Sequence, residues 1–423
     1  MYSGAYLTRE LPGVGGDLKV VPEDFVVHEI PLYPALGEGE HVYALIEKRG
    51  MTTFEAIDRI AHALGLPDRA LGYAGLKDSR AVTRQTVSIH GADPKRVERL
   101  KIPGITVLSV EIHRNKLRPG HLRGNRFRIR VRDAVEGAAD LAAPILDYLV
   151  QRGVPNAFGS QRFGSRRDAH RIGRALLLGD PKDVVDLIVG RPTRYERNVA
   201  VLDARRKYER GDLEGALDRF PPNYGSERAI LRGLLGSGGR YAEAIKRIPK
   251  KMRKLYLAAF QSHLFNLTLW RRIDSFDTLM DGDLAYLHEG GAVFRIEEGE
   301  AGTEEVVGRT AAFEISPSGP LHGYKMPQPM GAPRYLEDEV VRDEGIDPLE
   351  LSRTLREARL TGERRSLRIP ISETSIEVES DGSLVVGFVL PRGSYATVVL
   401  REVMKSGDDA VLLEAEPRSD ESV

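Results

Sequence analysis

Residues 74–91 read AGLKDSRAVTRQTVSIHG. The stretch changes character half way along. It holds one acid, Asp78, among Lys77, Arg80 and Arg84. Its second half, TRQTVSI, interleaves polar and β-branched residues, the pattern of a half-buried strand. The whole therefore reads as a loop running into a sheet. Gly72 and Gly75 allow the loop backbone to approach a ligand closely. Neighbouring cations lower a carboxyl pKa and keep the group ionised, as a nucleophile must be. The same residues also read as a surface Asp paired with Arg80 or Arg84, and residue types alone leave both readings open.

Upstream, LKVVPEDFVVHEI (18–30) reads as a strand, a PED turn and a second strand, and HVYALIEK (41–48) as another strand. Thr52 and Glu55 form a capping box. Phe54, Ile57, Ile60, Ala61 and Leu64 follow at helical spacing, and Gly65 closes the helix. Downstream, ITVLSVEIH (105–113) is strand-like. RFRIRVR (126–132) alternates strictly, with Phe127, Ile129 and Val131 on one face and four arginines on the other. Residues 137–151 read as a helix. From about 170 to 365 the texture changes. Helical segments lead to LYLAAFQSHLFNLTLWRRI, and strand-like, Gly- and Pro-punctuated sequence covers 281–342. Strand patterning returns at 366–404, with an Asp381-Gly382 hairpin turn and a last helix opening at Ser394. Residues 170–365 thus read as a second domain.

A chain of 423 residues predicts two domains or one with a large insertion. It has no apolar run of about 18 residues, the length a membrane span needs. MYSGAYLTRELPG lacks a basic start followed by an apolar core, so no secretory signal is expected and a cytoplasmic location follows. With no cysteine, disulfides, Cys-ligated zinc, Fe–S clusters and thiol nucleophiles are excluded. The 62 basic and 62 acidic residues cancel, but they are segregated. Residues 114–132 and 151–175 are strongly basic, 245–254 (IKRIPKKMRK) holds six bases, and the C-terminal end is acidic. Local basic patches on a neutral protein point to a polyanion bound at a defined place, or simply to solvated faces.

There is no Gly-Lys dipeptide and so no P-loop, no H-E-x-x-H, and no G-x-S-x-G. A carboxylate chemistry without a metal is the simplest reading left. Beside the Asp78 loop, three further stretches carry chemistry. NAFGSQRFGSRR (156–167) frames Gln161 and Arg162 between two Phe-Gly units. Aromatic rings stack on an unstacked base, amides read its edge, and arginines hold phosphates. FQSHLFN (260–266) sits on the long helix, and LPRGSYATVVLRE (390–402) is a turn before a helix whose N–H groups could hold an anion. Each also reads as ordinary core, helix surface or capping. Together they fit an RNA base drawn from its stack beside one carboxylate.

These stretches resemble the motifs of the TruD-type tRNA pseudouridine synthases. AGLKDSRAVTRQTVSI is similar to that family's catalytic loop, NAFGSQRFG to its N-x-F-G-x-Q-R-F-G signature, and LKVVPEDFVVHEI to its N-terminal segment. FQSHLFN and LPRGSYATVVLRE match later motifs, all in order over about residues 18–404. The long second half resembles the archaeal branch. The resemblance implies an α+β fold: a pseudouridine synthase domain with a mainly antiparallel sheet, formed by 1–169 and 366–423, and an inserted α/β TRUD domain at 170–365. It implies isomerisation of uridine in RNA, at position 13 of tRNA, with no cofactor and no metal. It makes Asp78 the essential carboxylate and Phe158 the ring that stacks on the uracil, with Asn156 holding the loop or the base edge. Lys19, Lys77 and Arg80 compete as the basic partner of Asp78. Gln161 and Arg162 complete the substrate-binding set. The arginine face of 126–132, Arg166, Arg167 and the 246–254 cluster are the phosphate candidates. The partner is tRNA, no protein partner is implied, and the chain reads as a monomer. A non-catalytic RNA-binding protein and a glycosylase releasing free base are the rival readings.

Overall fold

RFRIRVR lies inside a nine-stranded sheet. The computed structural model describes residues 6–406. One unit consists of the residues up to Val154 with those from Ile369, and a second of Pro155–Arg368. The first unit's strands are β1 (Asp17–Leu18), β2 (Phe25–Pro31), β3 (His41–Arg49), β4 (Leu71–Tyr73), β5 (Val82–His90), β6 (Ile105–His113), β7 (Leu122–Arg132), β8 (Ser372–Val378) and β9 (Leu384–Pro391). Their order is β8-β9-β7-β2-β5-β3-β6, with β1 on β7 and β4 on β5. Pairing is antiparallel except between β2 and β5. That one parallel pair matters, because parallel strands begin at the same end of a sheet. It sets Val26 beside Val82, so the chain entering β2 and the Asp78 loop entering β5 meet.

On β7, Phe127, Ile129 and Val131 are buried as the alternation predicts, and Phe127 faces Phe388 of β9 across the pair. α1 (Thr53–Leu64) starts at the Thr52–Glu55 box and ends on Gly65 at φ +69°, where a side chain would be strained. Its Ile57, Ile60, Ala61 and Leu64 pack against Val42, Ala44 and Ile46 of β3 and Val87 and Ile89 of β5. Each buried aliphatic side chain contributes about 1.5–3 kcal/mol. α2 (Ala138–Arg152) buries Ile145, Leu146 and Leu149.

The second unit has a helical core around Ile172, Val185, Ile188, Ile230 and Leu234. α3 (Lys250–Arg271) runs through it and buries Phe260 and Leu264 against Val340, Val341 and Leu355. A four-stranded antiparallel sheet is ordered 293–295, 284–287, 315–321, 363–366.

Several expectations are corrected. Phe54 shares the helical spacing but is 57% exposed, because it lies in the first turn, outside the stripe that meets β3. The strand-like stretch 281–342 also holds helices at Glu304–Ala311 and Gly331–Asp343. Thr303 caps the first, and Pro333 sits in the first turn of the second, where a proline costs no hydrogen bond. Ser394 is not a cap: the last helix is Ala396–Met404, its N-cap position is Tyr395, and no side chain caps it. The chain leaves the first unit at 154/155 and returns at 368/369, so NAFGSQRFG belongs to the second unit. The acidic end, apart from Ser406, lies outside the described residues.

Candidate active site

Asp78 is half-buried just before β5, its side chain 20% exposed. Its Oδ1 accepts the Arg80 backbone N–H at 2.9 Å, a local Asx turn that fixes the side chain's direction. Its Oδ2 accepts from Lys19 Nζ. Burial alone pushes the Asp78 carboxyl up. The Lys19 charge and hydrogen bond, the Arg80 N–H and the Lys48 charge outweigh it and hold the group below its ordinary value. Lys19 is itself positioned tightly. Its ammonium lies 4.2 Å from the Phe25 ring centroid, and its side chain is only 4% exposed. Its φ of +55° places it in the left-handed region, a cost of roughly 1–2 kcal/mol. Asp24, on the next turn, anchors this segment by accepting from Val21 N–H and from Arg132.

Of the three proposed cations, Lys19 is the one whose side chain meets the Asp78 carboxylate in this way. Lys77 turns the opposite way, to Glu29 Oε2 at 2.8 Å and Asn125 Oδ1 at 2.7 Å. Its backbone N–H donates to Thr53 Oγ1, which seats the loop on α1. Arg80 supplies its backbone N–H. A fourth cation escaped the sequence reading. Lys48 Nζ donates to the Asp78 carbonyl at 3.1 Å and the Met51 carbonyl at 2.5 Å. The signal was present, since Lys48 continues the buried row Val42, Ala44, Ile46. Gly72 gives its room to the protein itself, because a Cβ there would strike the Leu117 carbonyl.

The arginine face of β7 is committed internally. Arg128 pairs with Glu377 and Glu379, Arg130 with Glu379, Arg126 with Glu373, and Arg132 with Asp24. Arg126, Arg128 and Arg130 form an ion-pair ladder with glutamates on β8 and just past its end. Arg118, Arg123 and Arg392 are exposed too. Among the described residues no acid pairs with these three. Arg392 is tied to two of these segments, its backbone N–H donating to Arg123 O at 3.1 Å and its Nη1 to Gly120 O at 2.7 Å. Gly120 N donates to Ala74 O at 2.8 Å, which ties the cluster to the Asp78 loop.

In the second unit, Phe158 is held by its backbone. Its N–H donates to Asn266 Oδ1 at 2.8 Å, and Asn266 Nδ2 returns a bond to its carbonyl at 2.9 Å. The Arg365 guanidinium lies 4.3 Å from the Phe158 centroid, and Phe265 meets the ring edge-on at 5.6 Å. Arg365 also donates to Asn156, whose own amide donates to Ser366 O at 2.9 Å. Asn156 is buried and holds the loop. Arg162 is anchored to Ser262 Oγ at 2.8 Å, while Gln161 is exposed. Arg166 is bound to Asp168 and to carbonyls at 187, 188 and 191, and Arg167 is buried over Tyr195, so neither offers an open guanidinium. In the 246–254 cluster, Lys246 pairs with Glu243, while Arg247, Lys250, Lys251 and Lys254 are exposed. Asn266 and Arg365 were missed as site residues. FQSHLFN contained the first, but nothing local marked the second. Among the described residues no helix is long and apolar enough to cross a membrane.

A family model described as tRNA pseudouridine synthase D (TruD) matches residues 3–403. A Geobacter sulfurreducens protein named tRNA pseudouridine synthase D is 48% identical over 406 residues, covering 96% of this chain and 97% of that one. A Thermus thermophilus protein of the same name is 35% identical, covering 99% and 96%. The crystal structure of a Methanosarcina mazei protein described as a tRNA pseudouridine synthase D superposes with a TM-score of 0.82 at 27% identity, covering 96% of each chain. Bacterial relatives of matching length thus stand nearer in sequence than this archaeal structure.

Proposed function

The chain belongs to the TruD family of tRNA pseudouridine synthases, isomerases of uridine in tRNA, and from that premise we propose that Asp78 is the working carboxylate, acting on uridine 13. In the reaction the N1–C1′ bond breaks, the uracil turns, C5 joins C1′, the C5 proton leaves and N1 gains a proton. No atom is lost and no electron is transferred, so this chemistry calls for no redox cofactor. Asp78 either attacks C1′ or removes a sugar proton. Both routes consume a carboxylate anion, and both require Lys19 to give up or share Oδ2.

The observation that carries this reading is the half-buried Asp78 carboxylate, bonded by Lys19 and held ionised, in the loop that enters β5. Phe158, steadied from one side by Arg365, offers its ring to a base. It has no hydroxyl, so it cannot take the C5 proton. Arg118, Arg123 and Arg392 hold RNA phosphates, in place of the β7 row; exposed guanidiniums without acid partners suit that task. Lys250, Lys251 and Lys254 are further phosphate contacts. The enzyme works in the cytoplasm, as a monomer and without a metal.

The test uses tRNA transcript tritiated at uracil C5, with chelator present. The reading predicts release of tritium to water with no free uracil, and none from Asp78→Asn. Free uracil would establish a glycosylase, and tight binding with no release would leave an RNA-binding protein.

A further inference from the structure

Lys48 is a lysine with no exposed surface. Lysines are almost never fully buried without a carboxylate partner. Among the described residues no acid forms an ion pair with Lys48. Its ammonium instead rests on two peptide carbonyls, those of Met51 and Asp78. The first belongs to the turn between β3 and α1, the second to the loop that carries the proposed working carboxylate. A neutral donor could satisfy two carbonyls, so an ammonium here has a use for its charge.

We propose that Lys48 is a positioning residue for Asp78: from inside the sheet its ammonium fixes the Asp78 peptide and, with Lys19, supplies the positive charge that keeps the carboxylate ionised. This rests on the reading that Asp78 is the working carboxylate. The two cations act on different parts of the residue. Lys19 bonds the carboxylate itself, at Oδ2, so it must yield when the carboxylate reacts. Lys48 bonds the backbone carbonyl and can stay in place throughout the reaction. A displaced carboxylate is costly, since a misplacement of about 1 Å loses about 100-fold in rate.

The groups facing Lys48 are few. Asp78 and Lys77 come from the loop and Glu55 from the first turn of α1. Its cross-strand neighbours, Thr83 on β5 and Ile105 on β6, are neutral. Burial pushes the Lys48 amine down to about 8, with Lys77 adding to the fall and Asp78 and Glu55 opposing it. The charge is therefore present below about 8 and is lost as pH rises through that value.

The experiment compares Lys48→Met, Lys48→Gln and Lys48→Arg with wild type in single-turnover pseudouridylation of tRNA transcript at saturating enzyme, as a function of pH. Transcript affinity and melting temperature are measured for each. Met and Gln are expected to lose roughly 10- to 100-fold in rate while keeping transcript affinity. Their acid limb moves to higher pH, and the wild-type fall near pH 8 disappears. Arg restores most of the rate. If Met does not fold, Gln, which keeps a donor but no charge, decides the matter. A folded Gln variant with wild-type rate and acid limb overturns the proposal, as does a loss confined to transcript affinity. Asp78→Asn, run alongside, separates this from failure of the underlying reading: full activity there would remove the premise rather than the role of Lys48.

Discussion

Replacing Arg118, Arg123 and Arg392 together by Gln removes three exposed guanidiniums that carry no acid partner, among the described residues. No acid loses a partner in the triple variant, so fold stability is expected to hold. If each arginine neutralises one phosphate, the slope of log K against log salt falls by about 0.7–0.9 per contact, or about 2–3 for the three. Between about 50 and 200 mM salt, wild type should then lose about 20- to 40-fold more affinity than the variant. The gap between them is widest at low salt. The assay is fluorescence anisotropy of labelled transcript across a salt series. The rate at saturating enzyme should stay near wild type. Arg126→Gln with Arg128→Gln is the control, because those arginines already face Glu373, Glu377 and Glu379. It should leave the slope unchanged within about half a unit, since no phosphate contact is lost. Equal slopes for wild type and the triple variant would refute the reasoning, as would a fall seen only in the control.

Two other outcomes follow from the same geometry. Lys19→Met should move the acid limb of the single-turnover rate to higher pH. Lys19 is the largest influence holding the Asp78 carboxyl low, so without it the active anion is lost sooner as pH falls; an unmoved limb in a folded variant contradicts this. Glu337→Ala should cost about 3–5 kcal/mol in urea unfolding, because it strands the Arg364 guanidinium inside the second unit; a loss under about 1 kcal/mol would mean water or another acid takes over.

The capping box at Thr52 and the glycine at 65 were enough to bound α1, because both ends of a helix are marked by local chemistry. Strict alternation placed β7 and its buried face, since side-chain direction in a strand has a period of two. The use of Arg126, Arg128 and Arg130 was not legible, because their acids lie about 250 residues away, on β8 or just past it. A hint existed in TSIEVES, where Glu377 and Glu379 share one face of a strand. Asp78 stood out as a lone acid in a basic loop, but the choice among Lys19, Lys77 and Arg80 depends on long-range register. The parallel pairing of β2 with β5 brings Lys19 to Asp78, and backbone alternation sends Lys77 to Glu29. Lys48 was readable from the β3 row and was passed over because a lysine is not expected in a core. Arg365 carried no local signal, since its place beside Phe158 is set by the pairing of strands 315–321 and 363–366 and by Asn156.

The most direct test of the account is to incubate wild type and Asp78→Asn with unmodified tRNA transcript and map pseudouridine by carbodiimide-dependent primer extension. The account predicts one new stop, at uridine 13, with wild type and none with the variant. A stop of equal strength with Asp78→Asn would contradict the central role of Asp78, and a stop at another uridine would contradict the assigned target.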